Sequence, residues 1–472
     1  MTDFDLIVIG AGPVGENVAD RAVRGGLTAV VVESELVGGE CSYWACMPSK
    51  ALIRSNAALQ GSRSVDGAKQ AVTGGLDVAA VLRRRDRFVH DWHDDSQVEW
   101  LQQAGIALVR GHGRLSGPRE VTVTAEDGGM KTLTAAHAVA ICTGSAARLP
   151  DVEGLLQSTP WTSRDATSAW AVPGSLAIVG GGAVAVEMAT AYAGLGCAVT
   201  VVSRSPLLSR SEPFAGEAVA AGLRALGATV ITDALPRRVH RDEEGNAVIA
   251  LDTGGTVVAE QVLVAAGRVP RTGDLGLESI GLAAGEWLRV DDTLRVVGTD
   301  WLYAAGDVNH RALLTHQGKY QARAAGDAIV ARAQGEPVHE RPWGSHVATA
   351  DHSAVPQVVF SDPEVASVGM TAEQAEKAGY DIRVVDYDLG SVAGAALHAD
   401  GYAGQARMVV DTGRSLVLGM TFVGREVAEL LHAATVAVVG QVPIERLWHA
   451  VPAYPTMSEV WLRLLEAYGR PR

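Results

Sequence analysis

Cysteine is scarce in this sequence, with four residues in 472, so a scaffold held together by disulfides is excluded. No apolar run approaches the ~20 residues that a membrane span needs, and we expect no span. The first five residues are acidic and lack a basic stretch, so we expect no secretory signal and a cytoplasmic location. Basic residues are also fewer than acidic ones, with 40 lysines and arginines against 54 aspartates and glutamates. The net charge of −14 argues against nucleic acid as a partner.

The remaining composition is that of an ordinary globular protein, with 47% hydrophobic and 20% charged residues. The length predicts about three domains. Glycine is enriched, with 53 residues against a usual ~7% of a chain. This enrichment is typical of chains whose backbone approaches ligands closely.

The chain begins with a strand–turn–helix–strand pattern. An apolar run at 5–9 leads into G-x-G-x-x-G, a helical stretch covers 16–25, and a second apolar run covers 29–32. In this motif the glycines allow a tight turn, close approach to a pyrophosphate and helix–strand packing, and an acidic residue after the second strand binds ribose. The pattern predicts a dinucleotide site formed by Gly10, Gly12, Gly15 and Glu33.

A second unit of the same kind begins near residue 175, with strands at 176–179 and 199–202 and a helix at 187–195. Its glycine turn has alanine in the third place, and no acidic residue ends its second strand. Arginines follow instead, and arginine pairs with a 2′-phosphate that an acidic residue would repel. We therefore predict NADP(H) rather than NAD(H) here, with solvated surface arginines as the alternative. The residues are Gly180, Gly182, Ala185, Ser203, Arg204 and Arg210.

Two of the cysteines, Cys41 and Cys46, lie just after the first unit and five positions apart. A helical turn between them would bring the sulfurs together as a redox disulfide. A helix N-terminus or the nearby Lys50 would favour the thiolate that such a disulfide needs. Zinc is a poor alternative because no other cysteine and no histidine pair completes four ligands.

The character of the sequence changes near residue 345. Apolar runs at 357–360 and 408–410 predict strands, and an apolar-periodic stretch at 425–439 predicts a long helix. We interpret this part as a third, α+β domain.

Several motifs, in one order along the whole chain, resemble the class I pyridine nucleotide-disulfide oxidoreductases. This family includes dihydrolipoamide dehydrogenase, glutathione reductase and mercuric reductase. The stretch 38–50, with its cysteine pair, resembles the active-site segment of the family. The other matching stretches are 139–144, 265–270, 302–307 and 360–364. The stretch 302–307 resembles the second FAD motif of the family, in which the aspartate, here Asp307, binds the ribityl chain.

The resemblance implies an α/β fold with two Rossmann-like nucleotide-binding domains and an α+β C-terminal dimerisation domain. The implied boundaries are 1–153 and 273–342 for an FAD domain in two parts, 154–272 for an NAD(P)H domain and 343–472 for a homodimer interface.

The resemblance also implies roles. Cys46 would face the flavin as the charge-transfer thiolate, Cys41 would exchange with a disulfide substrate, and Lys50 would pair with Glu187 near the reactive nitrogen of the flavin. The implied FAD site comprises Gly10, Gly12, Gly15, Glu33, Lys50, Thr143, Gly144, Gly306 and Asp307. The implied NADPH site comprises Gly180, Gly182, Ala185, Glu187, Ser203, Arg204, Arg210 and Gly267, with NADH as the weaker alternative.

The sequence departs from the family near its C-terminus. A histidine that serves as acid–base, five residues before a glutamate, is replaced by Tyr454, while the glutamate is present as Glu459. Tyrosine, with a reference pKa of ~10, is a poor base at neutral pH. Both residues would reach the site from the other subunit. The cysteines outside the pair, Cys142 and Cys197, are not the C-terminal pair of mercuric reductase, and we expect inert core thiols.

The loop between the paired cysteines also departs from the family, because Tyr43 and Trp44 replace small and polar residues. These rings either pack against the protein or offer a stacking face to a flat substrate.

Three functions follow. The first is an NADPH-dependent enzyme that passes electrons through FAD and the Cys41–Cys46 pair to a small-molecule disulfide. The second is a quinone reductase whose flavin reduces the acceptor directly, which the missing histidine and the aromatic loop favour. The third is a flavoprotein subunit of a 2-oxoacid dehydrogenase complex, which the predicted NADPH preference disfavours.

Overall fold

The structure is a computed structural model, and it describes residues 3–470. No helix among these residues is long and apolar enough to cross a membrane.

The described strands are β1 (Phe4–Ile9), β2 (Ala29–Glu33), β3 (Ala107–Arg110), β4 (His112–Gly117), β5 (Glu120–Thr124), β6 (Met130–Ile141), β7 (Ser145–Ala147), β8 (Ser175–Val179), β9 (Ala198–Val202), β10 (Thr229–Ile231), β11 (Pro236–Arg241), β12 (Ala247–Leu251), β13 (Thr256–Ala259), β14 (Gln261–Val264), β15 (Arg268–Pro270), β16 (Leu302–Ala304), β17 (Gln357–Val359), β18 (Glu364–Gly369), β19 (Ile382–Asp388), β20 (Gln405–Asp411) and β21 (Leu416–Gly424). The described α-helices are α1 (Pro13–Arg24), α2 (Gly39–Tyr43), α3 (Cys46–Arg63), α4 (Ala68–Ala71), α5 (Val78–Phe88), α6 (Asp95–Gln103), α7 (Ser163–Ser168), α8 (Ala183–Gly194), α9 (Pro213–Ala225), α10 (Thr315–Gln334), α11 (Ala372–Lys377), α12 (Ala393–His398), α13 (Leu431–Val439), α14 (Ile444–Leu447) and α15 (Val460–Tyr468).

The chain divides into two compact units. The first is built from the residues up to Pro48 together with Asp86–Ala147 and Arg268–His352, and the second from Ser49–Arg85, Arg148–Gly267 and the residues from Ser353 onwards. This division groups segments differently from the boundaries implied by the resemblance, which stay predictions.

The first unit is organised by one sheet with the order β3-β2-β1-β6-β5-β4, in which β16 also pairs with β6. The strands β3, β2, β1, β6 and β16 are parallel neighbours. This arrangement is that of a doubly wound nucleotide-binding fold. The sequence pattern predicted the first βαβ unit correctly, but α1 begins at Pro13, three residues early. Gly12 caps the helix. Pro13 suits the first helical position, because an N–H group there would have no partner within the helix and its loss costs nothing.

The second unit contains a parallel sheet with the order β10-β9-β8-β14, a three-stranded antiparallel sheet β11-β12-β13, and a five-stranded antiparallel sheet β17-β18-β21-β20-β19. Buried side chains of the parallel sheet and of α8 form one hydrophobic core with Val359, Val365 and Val423 of the five-stranded sheet. The predicted class, two Rossmann-like sheets and an α+β C-terminal part, is therefore confirmed.

The predicted helix over 425–439 is shorter than expected. Strand β21 continues to Gly424, and Glu426 has a φ of +56°, which a helix does not tolerate. A 3₁₀ turn over Ala428–Leu430 follows, and the α-helix begins only at Leu431.

A buried ion pair joins parts of the second unit that are far apart in sequence. Glu212, before α9, is buried and accepts a hydrogen bond from the backbone N–H of Ala372 at 2.8 Å. Its other oxygen accepts one from Arg407 at 2.8 Å, and Arg407 also donates twice to Asp386 on the neighbouring strand. The ring of Phe214 lies 5.2 Å from the guanidinium. The carboxylate is thus fully compensated only while Arg407 is present.

We expect Arg407→Met to destabilise the protein by about 3–5 kcal/mol, because it leaves the buried Glu212 charge without its cation. Thermal unfolding of the purified protein measures this as a fall of several degrees in the midpoint. Lys377→Met is the control, because Lys377 and Glu373 are both exposed and such pairs contribute little. Equal midpoints for the two variants would contradict the prediction.

Candidate active site

The first glycine turn lies in the first unit, where β1 and β6 end together with Ile9 opposite Ile141. A Cβ on Gly10 would lie 2.6 Å from the carbonyl oxygen of Cys142, and one on Gly15 would lie 1.9 Å from the carbonyl oxygen of Gly10. Only glycine fits these two positions. The turn leads directly into the N-terminus of α1, as the pyrophosphate role of this motif requires.

Glu33 ends β2 beside this turn. Its carboxylate accepts hydrogen bonds from the backbone N–H groups of Ala11 at 2.7 Å and Glu35 at 2.8 Å. Burial raises the pKa of Glu33, although these bonds favour the charged form. Each oxygen still has a lone pair for a ribose hydroxyl, so the position fits the implied role.

The second FAD motif lies at the same edge of the sheet. Asp307 accepts a 2.5 Å hydrogen bond from Ser145, which also accepts one from the guanidinium of Arg268 at 2.5 Å. Burial raises the pKa of Asp307. Thr143 donates to the carbonyl oxygen of Arg271 at 2.9 Å, which fixes the backbone at the end of β6. These residues fit the ribityl side of FAD.

Gly144, directly before Ser145, and Gly306, directly before Asp307, have φ values of +72° and +81°, in the left-handed region that favours glycine.

The paired cysteines lie on consecutive helices of the active-site segment. Cys41 is within α2, and Cys46 is the first residue of α3. The start of α2 packs against the first glycine turn, because a Cβ on Gly39 would lie 2.8 Å from the Cα of Gly12. The sulfur of Cys46 lies 3.3 Å from the hydroxyl of Thr315, the first residue of α10. The first unit therefore holds both cysteines of the pair and the residues of both FAD motifs.

The aromatic residues between the cysteines differ in environment. Tyr43 is buried and donates a hydrogen bond to the carbonyl oxygen of His93 at 3.3 Å. Burial raises the pKa of Tyr43 to about 12. Tyr43 is thus a packed side chain, whereas Trp44 is only half-buried, 5.7 Å from the ring of Tyr43. The stacking role stays open for Trp44 alone.

Lys50 and Glu187 form an ion pair in the second unit, with 2.7 Å between Nζ and Oε2. The other oxygen of Glu187 accepts a hydrogen bond from the backbone N–H of Phe360 at 3.0 Å. The ammonium of Lys50 lies 4.9 Å from the centre of the Phe360 ring, within cation–π range. The predicted pair is present, and Phe360 holds both members of it.

The second glycine turn lies at the carboxyl edge of the parallel sheet of the second unit, where Val179 pairs with Val202 and with Val264. A Cβ on Gly180 would lie 2.2 Å from the carbonyl oxygen of Ala265, so this turn also requires glycine. Gly182 caps α8, Ala185 is fully buried in it, and Gly267 has a φ of +115°.

The strand after this turn ends in Ser203, which is buried against the turn. Arg204 and Arg210 are exposed, and within residues 3–470 no carboxylate lies within 4.0 Å of either guanidinium. Their loop is attached to the turn, because the N–H of Leu208 donates to the carbonyl oxygen of Gly181 at 2.8 Å. Two uncompensated cations therefore lie on a loop that is fixed to the nucleotide turn.

The C-terminal residues are arranged differently from the predicted pair. Tyr454 is 76% exposed. Glu459 is buried and accepts a hydrogen bond from Arg463, one helical turn on, at 2.5 Å. Its other oxygen has no hydrogen-bond partner among residues 3–470. Within one subunit, Glu459 is thus held by Arg463 rather than by Tyr454, and the role of both at a partner's site stays a prediction.

Cys142 and Cys197 are buried, and burial raises the pKa of each thiol to about 12. Such thiols are protonated and unreactive at neutral pH. This environment is the one expected of inert core cysteines.

Four residues of the site escaped the sequence analysis. Thr315 and Phe360 contact the predicted residues only through the tertiary fold. Phe360 begins the matching stretch 360–364, but no local pattern indicates its contacts with Lys50 and Glu187. Ser145 follows the Thr143–Gly144 pair directly, so its position was a usable signal. Glu16 was detectable as well, because an acidic residue directly follows the third glycine of the first turn.

Glu16 is buried in the first turns of α1, and its Oε1 has no hydrogen-bond partner among the described residues. Burial raises the pKa of its carboxyl to about 7, with Lys319 opposing and Glu33 adding to the shift. An uncharged carboxyl beside the diphosphate turn avoids repulsion that a carboxylate would introduce.

We expect the contribution of Glu16 to the free energy of unfolding of the wild type to fall by about 3 kcal/mol as pH rises from about 4.5 to about 7. The unfolded chain releases this proton near 4.5, whereas the folded chain retains it to about 7, and the loss is complete above that value. Thermal midpoints between pH 5 and 8, with saturating FAD, measure this slope. Glu16→Gln removes it, and the exposed Glu126→Gln retains it. Parallel slopes for wild type and Glu16→Gln would refute the expectation.

The family model described as "Pyridine nucleotide-disulphide oxidoreductase" matches residues 4–335, and the model of its dimerisation domain matches residues 355–464. A mercuric reductase of Streptomyces lividans is 32% identical over 97% of this chain and 94% of its own length. A dihydrolipoyl dehydrogenase of Chlorobaculum tepidum is 32% identical over 97% and 95%.

Two solved structures share the fold. The HOCl-induced flavoprotein disulfide reductase RclA of Escherichia coli superposes with a TM-score of 0.84 at 23% identity, covering 99% of each chain. LpdA of Mycobacterium tuberculosis superposes with a TM-score of 0.81 at 24% identity, also covering 99% of each chain.

Proposed function

Because the chain belongs to the pyridine nucleotide-disulphide oxidoreductase family and is therefore an FAD-dependent enzyme that uses a pyridine nucleotide, we propose that it oxidises NADPH and reduces a small-molecule disulfide. Electrons leave through the Cys41–Cys46 pair. The observation that supports this route is the position of Cys46, at the start of α3 and in contact with Thr315, in the unit that also holds both FAD motifs.

The residues that would hold FAD are those of the two motifs. The turn at Gly10 and Gly12 takes the diphosphate, Glu33 takes the ribose, and Asp307 takes the ribityl hydroxyls. Bound FAD supplies a two-electron carrier between NADPH and the protein disulfide. The second glycine turn, with Arg204 and Arg210, takes NADPH. Glu187, Lys50 and Gly267 remain proposed site residues through the resemblance.

The chemistry of the cysteines balances in three steps. Two electrons and one proton break the bond between Cys41 and Cys46 and give a Cys41 thiol and a Cys46 thiolate. The sulfur of Cys41 then loses its proton and attacks one sulfur of the substrate disulfide, which releases one thiol and leaves a mixed disulfide. The Cys46 thiolate attacks the sulfur of Cys41, which restores the pair and releases the second substrate half as a thiolate, and this thiolate takes up one further proton to become a thiol.

A homodimer is proposed as the working form, because the dimerisation-domain model matches residues 355–464. The four segment boundaries implied by the resemblance (1–153, 154–272, 273–342 and 343–472) are proposed as its domains, and a cytoplasmic location stays a prediction.

A quinone reductase is the second candidate. Its support is the C-terminal arrangement, in which Tyr454 stands in the histidine position and Glu459 is held by Arg463. Tyrosine does not deprotonate a thiol efficiently at neutral pH. Direct reduction of a flat acceptor avoids thiol exchange, and the half-buried Trp44 offers it a ring to stack on.

We expect anaerobic NADPH titration of the wild type to show uptake of about four electrons per subunit, because flavin and disulfide each take two, with a long-wavelength thiolate–flavin band. Cys41→Ser should take up about two and lose at least about 100-fold in turnover of a small aliphatic disulfide. It should retain reduction of a benzoquinone.

The control for this titration is Cys197→Ala, which alters a buried thiol outside the site and should behave as wild type. If Cys41→Ser reduced the disulfide as fast as the wild type, the cysteine route would be wrong. If the wild type took up only about two electrons and reduced quinones alone, the second candidate would replace the first.

We expect Arg204→Ala/Arg210→Ala to raise the KM for NADPH by at least about tenfold, because each arginine makes charge-assisted hydrogen bonds to a 2′-phosphate. The KM for NADH, which lacks this phosphate, should change little. Arg224→Ala is the control, since it removes an exposed arginine at the end of α9. Equal effects on both nucleotides would show that these arginines are surface charges.

A further inference from the structure

Arg271 directly follows β15 in the first unit and contacts the segment that carries the paired cysteines. Its guanidinium donates a hydrogen bond to the carboxylate of Glu40 at 3.3 Å, and Glu40 directly precedes Cys41 in α2. Within the framework of the proposed cysteine route, we propose that Arg271 is a positioning residue for the reaction. It holds and neutralises the Glu40 carboxylate, so that the negative charge beside Cys41 does not oppose formation of the Cys41 thiolate.

The position of Arg271 is fixed by its backbone as well as by its side chain. Its N–H donates to the carbonyl oxygen of Gly144 at 3.1 Å, and its carbonyl oxygen accepts a hydrogen bond from Thr143 at 2.9 Å. Its Nε donates to the carbonyl oxygen of Ser145 at 3.3 Å. Because the residue is held against the end of β6 by these three bonds, little side-chain entropy remains to be lost when the guanidinium pairs with Glu40.

The pair of Glu40 and Arg271 belongs to a larger set of charges in the first unit. The carboxylate of Glu35 lies 3.9 Å from the second terminal nitrogen of Arg271, and Arg268 lies 3.7 Å from Asp307. Burial is the main cause of the raised pKa of Asp307, and the charge of Glu40 adds to it. The charge of Glu40 thus acts on titratable groups around it, and loss of Arg271 would leave more of that charge uncompensated.

The Cys41 sulfur lies within range of this charge because its residue is the next one in the chain. Consecutive Cα atoms are about 3.8 Å apart, but adjacent side chains of a helix do not face each other. The carboxylate therefore acts on the sulfur through its field and not through a direct contact. At a separation of about 8 Å and an effective dielectric constant of about 40, Coulomb's law gives a shift of about half a unit to one unit in the pH at which the thiol ionises.

The test follows the ionisation of Cys41 in the FAD-loaded Cys46→Ser variant, in which no second thiol of the pair titrates. The rate of Cys41 alkylation by iodoacetamide is measured across pH 5 to 10 by peptide mass spectrometry. In this background we expect Arg271→Met to raise the pH midpoint of alkylation by about half a unit to one unit, which is an about three- to tenfold lower thiolate fraction below the midpoint. Glu40→Gln should lower the midpoint by a similar amount, because it removes the negative charge and leaves the guanidinium.

The double variant Arg271→Met/Glu40→Gln separates the effect of charge from that of shape. It removes both charges, so its midpoint should return close to that of the starting protein. Arg271→Lys keeps the positive charge and should also stay close. Arg24→Met is the control, because Arg24 forms an ion pair with Asp20 at the end of α1 that lies away from the glycine turn.

Equal midpoints in the starting protein, Arg271→Met and Glu40→Gln would overturn the proposal. A midpoint that stays raised in the double variant would also overturn it, because loss of position and not of charge would then be the cause. Labelling at Cys142, which is buried, reports an opened core. If Arg271→Met shows such labelling, Glu40→Gln alone decides, since it keeps the bonds of Arg271 to residues 143–145.

No nucleotide or acceptor is used in this labelling, so its outcome is separate from that of the proposed function. If the midpoints shift but the wild type takes up only about two electrons from NADPH, the cysteine route is wrong and the charge effect at Cys41 stands. If the wild type takes up about four electrons and the midpoints do not move, only the role of Arg271 is wrong.

Discussion

The register of three parallel strands is the constraint on which the candidate site depends. In the first unit, Ile9, Ile141 and Ala304 are paired neighbours, so β1, β6 and β16 end at one edge of the sheet. The segments that follow the three strands therefore lie side by side, although they are up to about 300 residues apart in sequence. Ligands of such sheets bind at the carboxyl ends of the strands. A shift of one residue in any pairing would move the buried side chains of that strand to the opposite face of the sheet.

The same edge explains how two acidic side chains are tolerated in a buried place. Glu33 and Asp307 are costly to desolvate, and burial raises the pKa of both. The cost of burying each carboxyl group is offset by hydrogen-bond donors of the fold. These donors are two backbone N–H groups for Glu33 and the Ser145 hydroxyl for Asp307. Because these acceptors are already oriented, hydroxyl groups of a ligand meet a fixed array and little ordering remains to be done on binding.

Short-range features of the sequence predicted most of this arrangement. Glycine turns between an apolar run and a helix depend on local sterics, so both βαβ units were found, with errors of a few residues at helix starts. The prediction of a helix over 425–439 was wrong in its first part, because nothing in the residue type of Glu426 indicates its left-handed backbone.

Residues that act across the fold were beyond the reach of local patterns. Thr315 and Cys46 are 269 positions apart, and their contact depends on the whole sheet of the first unit. The Lys50–Glu187 pair came from family resemblance and not from spacing. The pairing of Glu459 with Arg463 is different, because the two residues are one helical turn apart, and that spacing was visible in the sequence.

The departures from the family concern how protons are handled. A histidine base titrates near neutral pH, whereas a tyrosine hydroxyl, with a reference pKa of ~10, does not. In a disulfide, the sulfur with the more stable thiolate is the better leaving group. In the proposed cysteine route, Cys46 would be that sulfur and Cys41 would exchange with the substrate. With Tyr454 in the histidine position, the deprotonation of Cys41 would be left to solvent or to the acceptor, whereas direct reduction of a quinone by the flavin would need no such step.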